Sequence, residues 1–135
     1  MQPELTNTYL DQIQNAFNKH DVDEILSYFS DNCIWIMAKG PHSPDGRTCV
    51  GKNEIGDTLN ARYKEIPDMR WEDIRHWTFD QTKAISEWIV RGSPIDKEPF
   101  SYLGCDLWEF EDGLVTKKRY LLENDRETTS FLKET

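Results

Sequence analysis

Gly104-Cys105-Asp106-Leu107-Trp108-Glu109-Phe110, then Glu111-Asp112-Gly113, then Leu114 to Leu122, is the stretch whose reading decides the fold. An Asp-Gly pair between two runs rich in β-branched and aromatic residues is a strong hairpin signal, because both central turn residues need positive φ. The first strand extends back to Phe100. One of its faces holds Phe100, Tyr102, Gly104, Asp106, Trp108 and Phe110; the other holds Leu103, Cys105 and Leu107 before Glu109. Both faces are substantially apolar, whereas a sheet with one wet face alternates cleanly. One face therefore meets helices and the other needs its own cover. A second copy of the sheet supplies that cover, so a homodimer through the outer sheet face is expected.

Upstream, the period is helical. Leu5, Tyr9, Ile13, Ala16 and Phe17 define a first amphipathic helix that stops near Asn18-Lys19-His20. Asp21 stands three residues before Glu24 in capping-box spacing, and Val22, Ile25, Leu26 and Phe29 form the stripe of a short second helix. Cys33 to Met37 reads as a buried strand, Gly40 to Gly46 as a turn or mobile loop. A third helix runs from about Asn53, with Ile55, Leu59, Tyr63 and Ile66 inward, and ends at Pro67-Asp68. From Met69 the period becomes two: Trp71, Asp73, Arg75, Trp77 and Phe79 alternate with Glu72, Ile74, His76 and Thr78, and Ala84 to Arg91 follows as another strand. The sum is an α+β domain.

The chain has 135 residues, room for one domain with a real core, and five Trp, five Tyr and six Phe to fill it or to wall an apolar cavity. A formal net charge of -9 repels polyanions, which argues against nucleic acid as a partner. No apolar run approaches a membrane span, and Met1-Gln2-Pro3-Glu4 does not read as a signal peptide. Cys33, Cys49 and Cys105 are odd in number and lack paired spacing, which suits a reducing, cytoplasmic setting. No His or Cys spacing matches a metal site, and no cofactor is expected. Gly46 to Asn53 spells the start of a phosphate-binding loop, but Asn53 stands where a Ser or Thr is needed.

The element order resembles the nuclear transport factor 2-like superfamily. Ala16 to Leu26 is similar to its junction between the first two helices. Ser86-Glu87-Trp88 and Gly104 to Gly113 resemble its SnoaL-like, ketosteroid isomerase-like branch. The resemblance implies a cone-shaped α+β fold, three N-terminal helices packed on a curved antiparallel sheet around an apolar pocket. It further implies one SnoaL-like domain over residues 1–123, with residues 124–135 as a polar tail. The superfamily mixes isomerases, dehydratases, hydrolases and cyclases with proteins that only bind, so the fold alone does not choose a reaction.

Asp106 is the leading candidate. It lies between Tyr102 and Trp108 on an apolar face, where burial raises a carboxyl pKa into the useful range for proton transfer. The resemblance matches it to the late-strand aspartate that ketosteroid isomerase keeps protonated to hold an oxyanion. That enzyme's first-helix tyrosine falls at Ile13 and its general-base aspartate at Met37, and neither can move a proton. Glu87, on the face of Ile85, Ile89 and Arg91, can supply a second carboxylate; its alternative is a salt bridge with Arg91 or Arg119. His76 is a possible base, or a satisfied core histidine, and Tyr102 a possible donor. Trp35, Met37, Tyr63, Ile89, Arg91, Trp108 and Arg119 form the expected pocket wall, with core packing the alternative for the aromatic residues. The expected function is a small cofactor-independent acid/base enzyme for an apolar, oxygenated small molecule; the alternative is a non-catalytic binding or interaction domain.

Overall fold

The computed structural model describes residues 3–38 and 46–123. Of the turn expected over Gly40 to Gly46 only Gly46 is among these residues, and the polar tail lies outside them.

Helix α1 spans Asn7–Asn18, opened by the Thr6 side chain accepting from the Tyr9 N–H, and buries Tyr9, Leu10, Ile13, Gln14, Ala16 and Phe17. Helix α2, Val22–Ser27, starts where the capping spacing places it, the Asp21 carboxylate accepting from the Glu24 N–H at 3.1 Å. The chain turns straight into strand β1, Phe29–Met37, so Phe29 belongs to a strand and not to the second helical stripe. Strand β2, Arg47–Val50, occupies sequence that reads as loop and false phosphate loop; helix α3 follows at once over Gly51–Glu65. The third helix therefore comes after two strands and is not part of an N-terminal helical block. Strands β3 (Arg70–Phe79), β4 (Lys83–Gly92), β5 (Phe100–Glu111) and β6 (Leu114–Leu122) complete the chain.

The six strands form one sheet in the order β2-β1-β6-β5-β4-β3. It is mixed where an antiparallel sheet was expected, because β1 lies parallel to β6. Local hairpin signals carry no information about that long-range pairing. Asp112 (φ 54) and Gly113 (φ 80) make the β5–β6 turn, both in the left-handed region that such a two-residue turn needs. The Tyr9 hydroxyl donates to the Gly113 carbonyl at 2.5 Å, tying α1 to that turn.

The helices cover the face that carries Trp35, Trp71, Trp88 and Trp108, each no more than 8% exposed. Phe17 meets Trp71 edge-on, and the Tyr63 hydroxyl donates to the Phe17 carbonyl, so α1, α3 and β3 close one core. Gly104 stands opposite Trp88. A Cβ there would lie 2.5 Å from the Leu121 carbonyl oxygen and 2.7 Å from the Trp88 ring. Glycine is what leaves room for the Trp88 indole against the strand. Gly104→Ala should therefore cost about 1–3 kcal/mol of stability, the usual range for overpacking, as measured by urea denaturation. A loss below a few tenths would mean that the strand absorbs the methyl group.

Candidate functional site

The site depends on an irregularity in the β5–β6 hairpin. Pairing begins regularly, Glu111 with Leu114 and Phe110 with Val115, then slips so that Glu109 faces Lys117 and Trp108 faces Lys118. The extra residue is Thr116, whose hydroxyl donates to the Glu109 carbonyl at 3.2 Å. A one-residue slip moves every later side chain to the opposite face. Regular pairing would set Lys118 opposite Leu107 on the outer face. The bulge turns it inward beside Trp108, leaving it 5% exposed.

There Lys118 Nζ lies 3.2 Å from Asp106 Oδ1. Asp106 Oδ2 accepts from the Trp88 indole N–H at 2.8 Å and the Gln14 amide at 3.2 Å. Oδ1 has the Lys118 ammonium as its one polar partner among the described residues. Four aromatic rings enclose Nζ, with centroids at 4.6 Å (Trp35), 4.9 Å (Phe17), 5.5 Å (Trp108) and 5.6 Å (Tyr120). Burial, the largest effect, pushes the Lys118 pKa below its ordinary value, and Arg62 adds to this; Asp106 pulls the other way. Trp88 and Gln14 keep Asp106 bonded whether or not Lys118 carries its proton.

Lys118 also forms part of the wall of a cavity of ≈ 210 Å³ between α3 and the inner sheet face, with Trp35, Met37, Arg62, Tyr102 and Tyr120. Asp106 lies behind Lys118 and is not part of that wall. Among the described residues no three His, Cys, Asp or Glu side chains gather as a metal site would need.

The sequence pattern of the SnoaL-like domain matches residues 10–118. The chain belongs to the SnoaL-like domain family. That family lies in the nuclear transport factor 2-like superfamily, and solved structures share the fold. A candidate polyketide cyclase from a Silicibacter species is 19% identical with a TM-score of 0.74, covering 96% of this chain and 93% of its own. A candidate polyketide cyclase from Xanthomonas campestris is 17% identical with a TM-score of 0.72, covering 84% and 86%. A protein with a ketosteroid isomerase-like fold from Catenulispora acidiphila, solved with trimethylamine, is 13% identical with a TM-score of 0.74, covering 86% and 85%. No match to a curated protein sequence was found.

Against this SnoaL-like framework the expected site residues divide. Asp106, Tyr102, Trp35, Met37 and Trp108 all belong to the inner face, with Trp35, Met37 and Tyr102 on the cavity wall. Tyr63 packs in the adjoining core, stacked on His20 at 3.9 Å, and burial raises its pKa. Glu87, Ile89 and Arg91 require correction. The inward phase of β4 is Ala84, Ser86, Trp88 and Val90, and Asp106 stands opposite Ser86 while Glu87 stands opposite Cys105 on the outer face. Two apolar faces made the phase ambiguous, and Trp88 in the space over Gly104 fixes it. Arg119, opposite Leu107, is likewise on the outer face. Arg91 bonds Glu72 at 3.1 Å rather than Glu87.

His76 is inward but apart from the cavity. A left-handed bulge at Asp73 (φ 54) sets its phase. Its ring bridges Asp11 (2.9 Å) and Ser86 (2.7 Å). The order Asp-His-Ser suggests a hydrolytic relay, but Ser86 is wholly buried and its oxygen accepts from the Trp108 indole at 2.8 Å. No substrate reaches that hydroxyl, so the chain of bonds ties α1 to the sheet. Lys118, Gln14 and Arg62 were not singled out in the sequence, and Trp88 only as part of the family-like run Ser86-Glu87-Trp88. For Lys118 the signal existed only if the bulge was seen.

Breaking a buried pair from one side leaves a bare charge, which typically costs about 3–5 kcal/mol. Asp106→Asn should lose that much, since Lys118 then has no counter-charge. Lys118→Met should lose less, because Asp106 keeps two N–H donors. The double variant should recover most of the loss in a denaturation cycle. Strict additivity of the two single effects would refute the coupling.

Proposed function

We propose that this SnoaL-like domain is a cofactor-independent acid/base enzyme acting on a small, mostly apolar molecule that carries a carbonyl oxygen. One observation carries the reading: a buried amine, Lys118, in the wall of an aromatic cavity, backed by a carboxylate that is itself held by two N–H donors. A neutral amine in such a place can take a proton from the carbon next to a carbonyl; as ammonium it can return the proton or hold the enolate oxygen. Lowering its pKa enlarges the neutral fraction near neutral pH. Asp106 acts through Lys118 as a positioning residue, and Tyr102 and Tyr120 offer hydroxyl groups on the same wall.

The neighbours named as candidate polyketide cyclases support a carbonyl-rich substrate class. The neighbour holding trimethylamine suggests a different occupant. Here the ring cage already contains the chain's own ammonium, which disfavours a second cation. A second reading, binding without turnover, draws on Asp106 being paired with Lys118, held at Oδ2 by two N–H donors and set behind the wall. Exchange of the α-protons of 2-indanone in D₂O, followed by NMR, separates the two. The enzyme reading expects catalysed exchange that rises with pH through a value below the 10.5 of an ordinary lysine, since only the neutral amine accepts a proton. Lys118→Met should lower it by about 10²–10⁴-fold. Exchange unaffected by that substitution would leave the binding reading.

The homodimer belongs with this proposal. Leu103, Leu107 and Leu121 are between 37% and 48% exposed on the outer face, where Ile85, Ile89 and Cys105 neighbour them through the ladder. A second sheet would cover this stripe. The free cysteines support a reducing compartment. Sedimentation at micromolar concentration should give twice the chain mass, and Leu107→Glu should give the monomer; a monomeric parent protein overturns the proposal.

A further inference from the structure

The cavity wall is electrostatically out of keeping with the rest of the molecule. The chain carries a formal net charge of -9, yet the charged wall residues are Arg47, Arg62, Lys118 and Glu65. Two of these four are already matched. Glu65 bonds Lys97 at 3.1 Å, and Lys118 faces Asp106. Arg47 and Arg62 have no carboxylate partner among the described residues.

Arg62 is the better placed of the two. It comes from the last turn of α3 and is half-buried, its guanidinium 5.1 Å from the Trp35 ring centroid and 5.8 Å from that of Tyr120. Ring faces attract the guanidinium's charge but supply no lone-pair acceptors for its N–H groups. The protein acceptor given to that edge is the Met37 sulfur at 3.7 Å, a weak one for a group with five donors. The indole N–H of Trp35, another wall residue, is buried with no acceptor among the described residues.

We infer that the cavity selects a carboxylate: a compact anion with an apolar body, its carboxylate gripped by Arg62 and its body against the aromatic wall. A planar carboxylate matches the guanidinium fork in shape and supplies the acceptors that the protein withholds. A cation is opposed by Arg47, Arg62 and Lys118 together. A neutral carbonyl ligand offers the fork a single uncharged oxygen, without the charge or the second oxygen of a carboxylate. The inference rests on the proposed reading only in taking this cavity as the ligand site; it does not need the domain to be catalytic.

The test is calorimetric titration of the full chain with three probes of similar body: phenylacetate, phenylacetamide and benzylamine. Phenylacetate should bind about tenfold more tightly than phenylacetamide, the effect of one charge-assisted contact, and benzylamine should not bind. Added salt should narrow the difference. Arg62→Gln, checked for folding by its melting curve, should abolish the preference by bringing phenylacetate down to the affinity of phenylacetamide. Equal affinities in the parent protein, or a preference that survives Arg62→Gln, overturn the inference. A preference removed by Lys118→Met and kept in Arg62→Gln also overturns it, by placing the anion at the lysine. If selectivity holds while 2-indanone exchange fails, the catalytic reading falls and this one stands. If no probe binds, the cavity is not the ligand site and both fall.

Discussion

An ammonium group buried among aromatic rings must be answered by an opposite charge at close range, and much of this structure serves that requirement. Lys118 needs Asp106. Asp106 in turn needs donors that do not depend on Lys118, which brings Gln14 from α1 and Trp88 from β4 to the same carboxylate oxygen. Trp88 can reach it because Gly104 leaves the strand bare beneath the indole. Lys118 itself arrives by way of the slipped register at Thr116. Helix, three strands, one glycine and one bulge thus converge on a single pair of charges.

The cavity takes its character from being next to this pair without containing all of it. The amine is presented and the carboxylate is withheld, so the pair can alter the amine's affinity for a proton while only the amine meets a ligand. Trp35 and Tyr120 are shared between the two functions: each faces Lys118 and each flanks Arg62. Two cations are thereby held on the same aromatic surfaces, one with a carboxylate partner and one without.

Much of the fold was legible because its signals are local. The Asp112-Gly113 turn, the Asp21 cap and the apolar stripes of α1 and α3 state their conformations in a few residues each. The inward placement of Asp106 came from the family resemblance, because alternation along β5 leaves both faces apolar. What could not be read was non-local or depended on phase. The parallel pairing of β1 with β6 leaves no mark in either strand, and β2 is only four residues long. In β4 both alternating sets are apolar, so Glu87 and Ser86 exchange faces on the strength of one tryptophan packed over one glycine. Lys118 sits between Lys117 and Arg119 on a strand whose phase is set by the bulge, and no residue type in the run announces that slip.

The parallel seam between β1 and β6 has a kinetic side. Strands β3 to β6 follow one another by hairpins and can associate while their connecting loops are short. Trp35 reaches Lys118 only when distant parts of the chain meet, and closing a loop of that length is slow. Until then the ring cage lacks a wall and the amine keeps its water. The cost of stripping that water therefore falls late, after the meander has formed, and the energetics of the pair belong mainly to the rate at which the finished molecule opens.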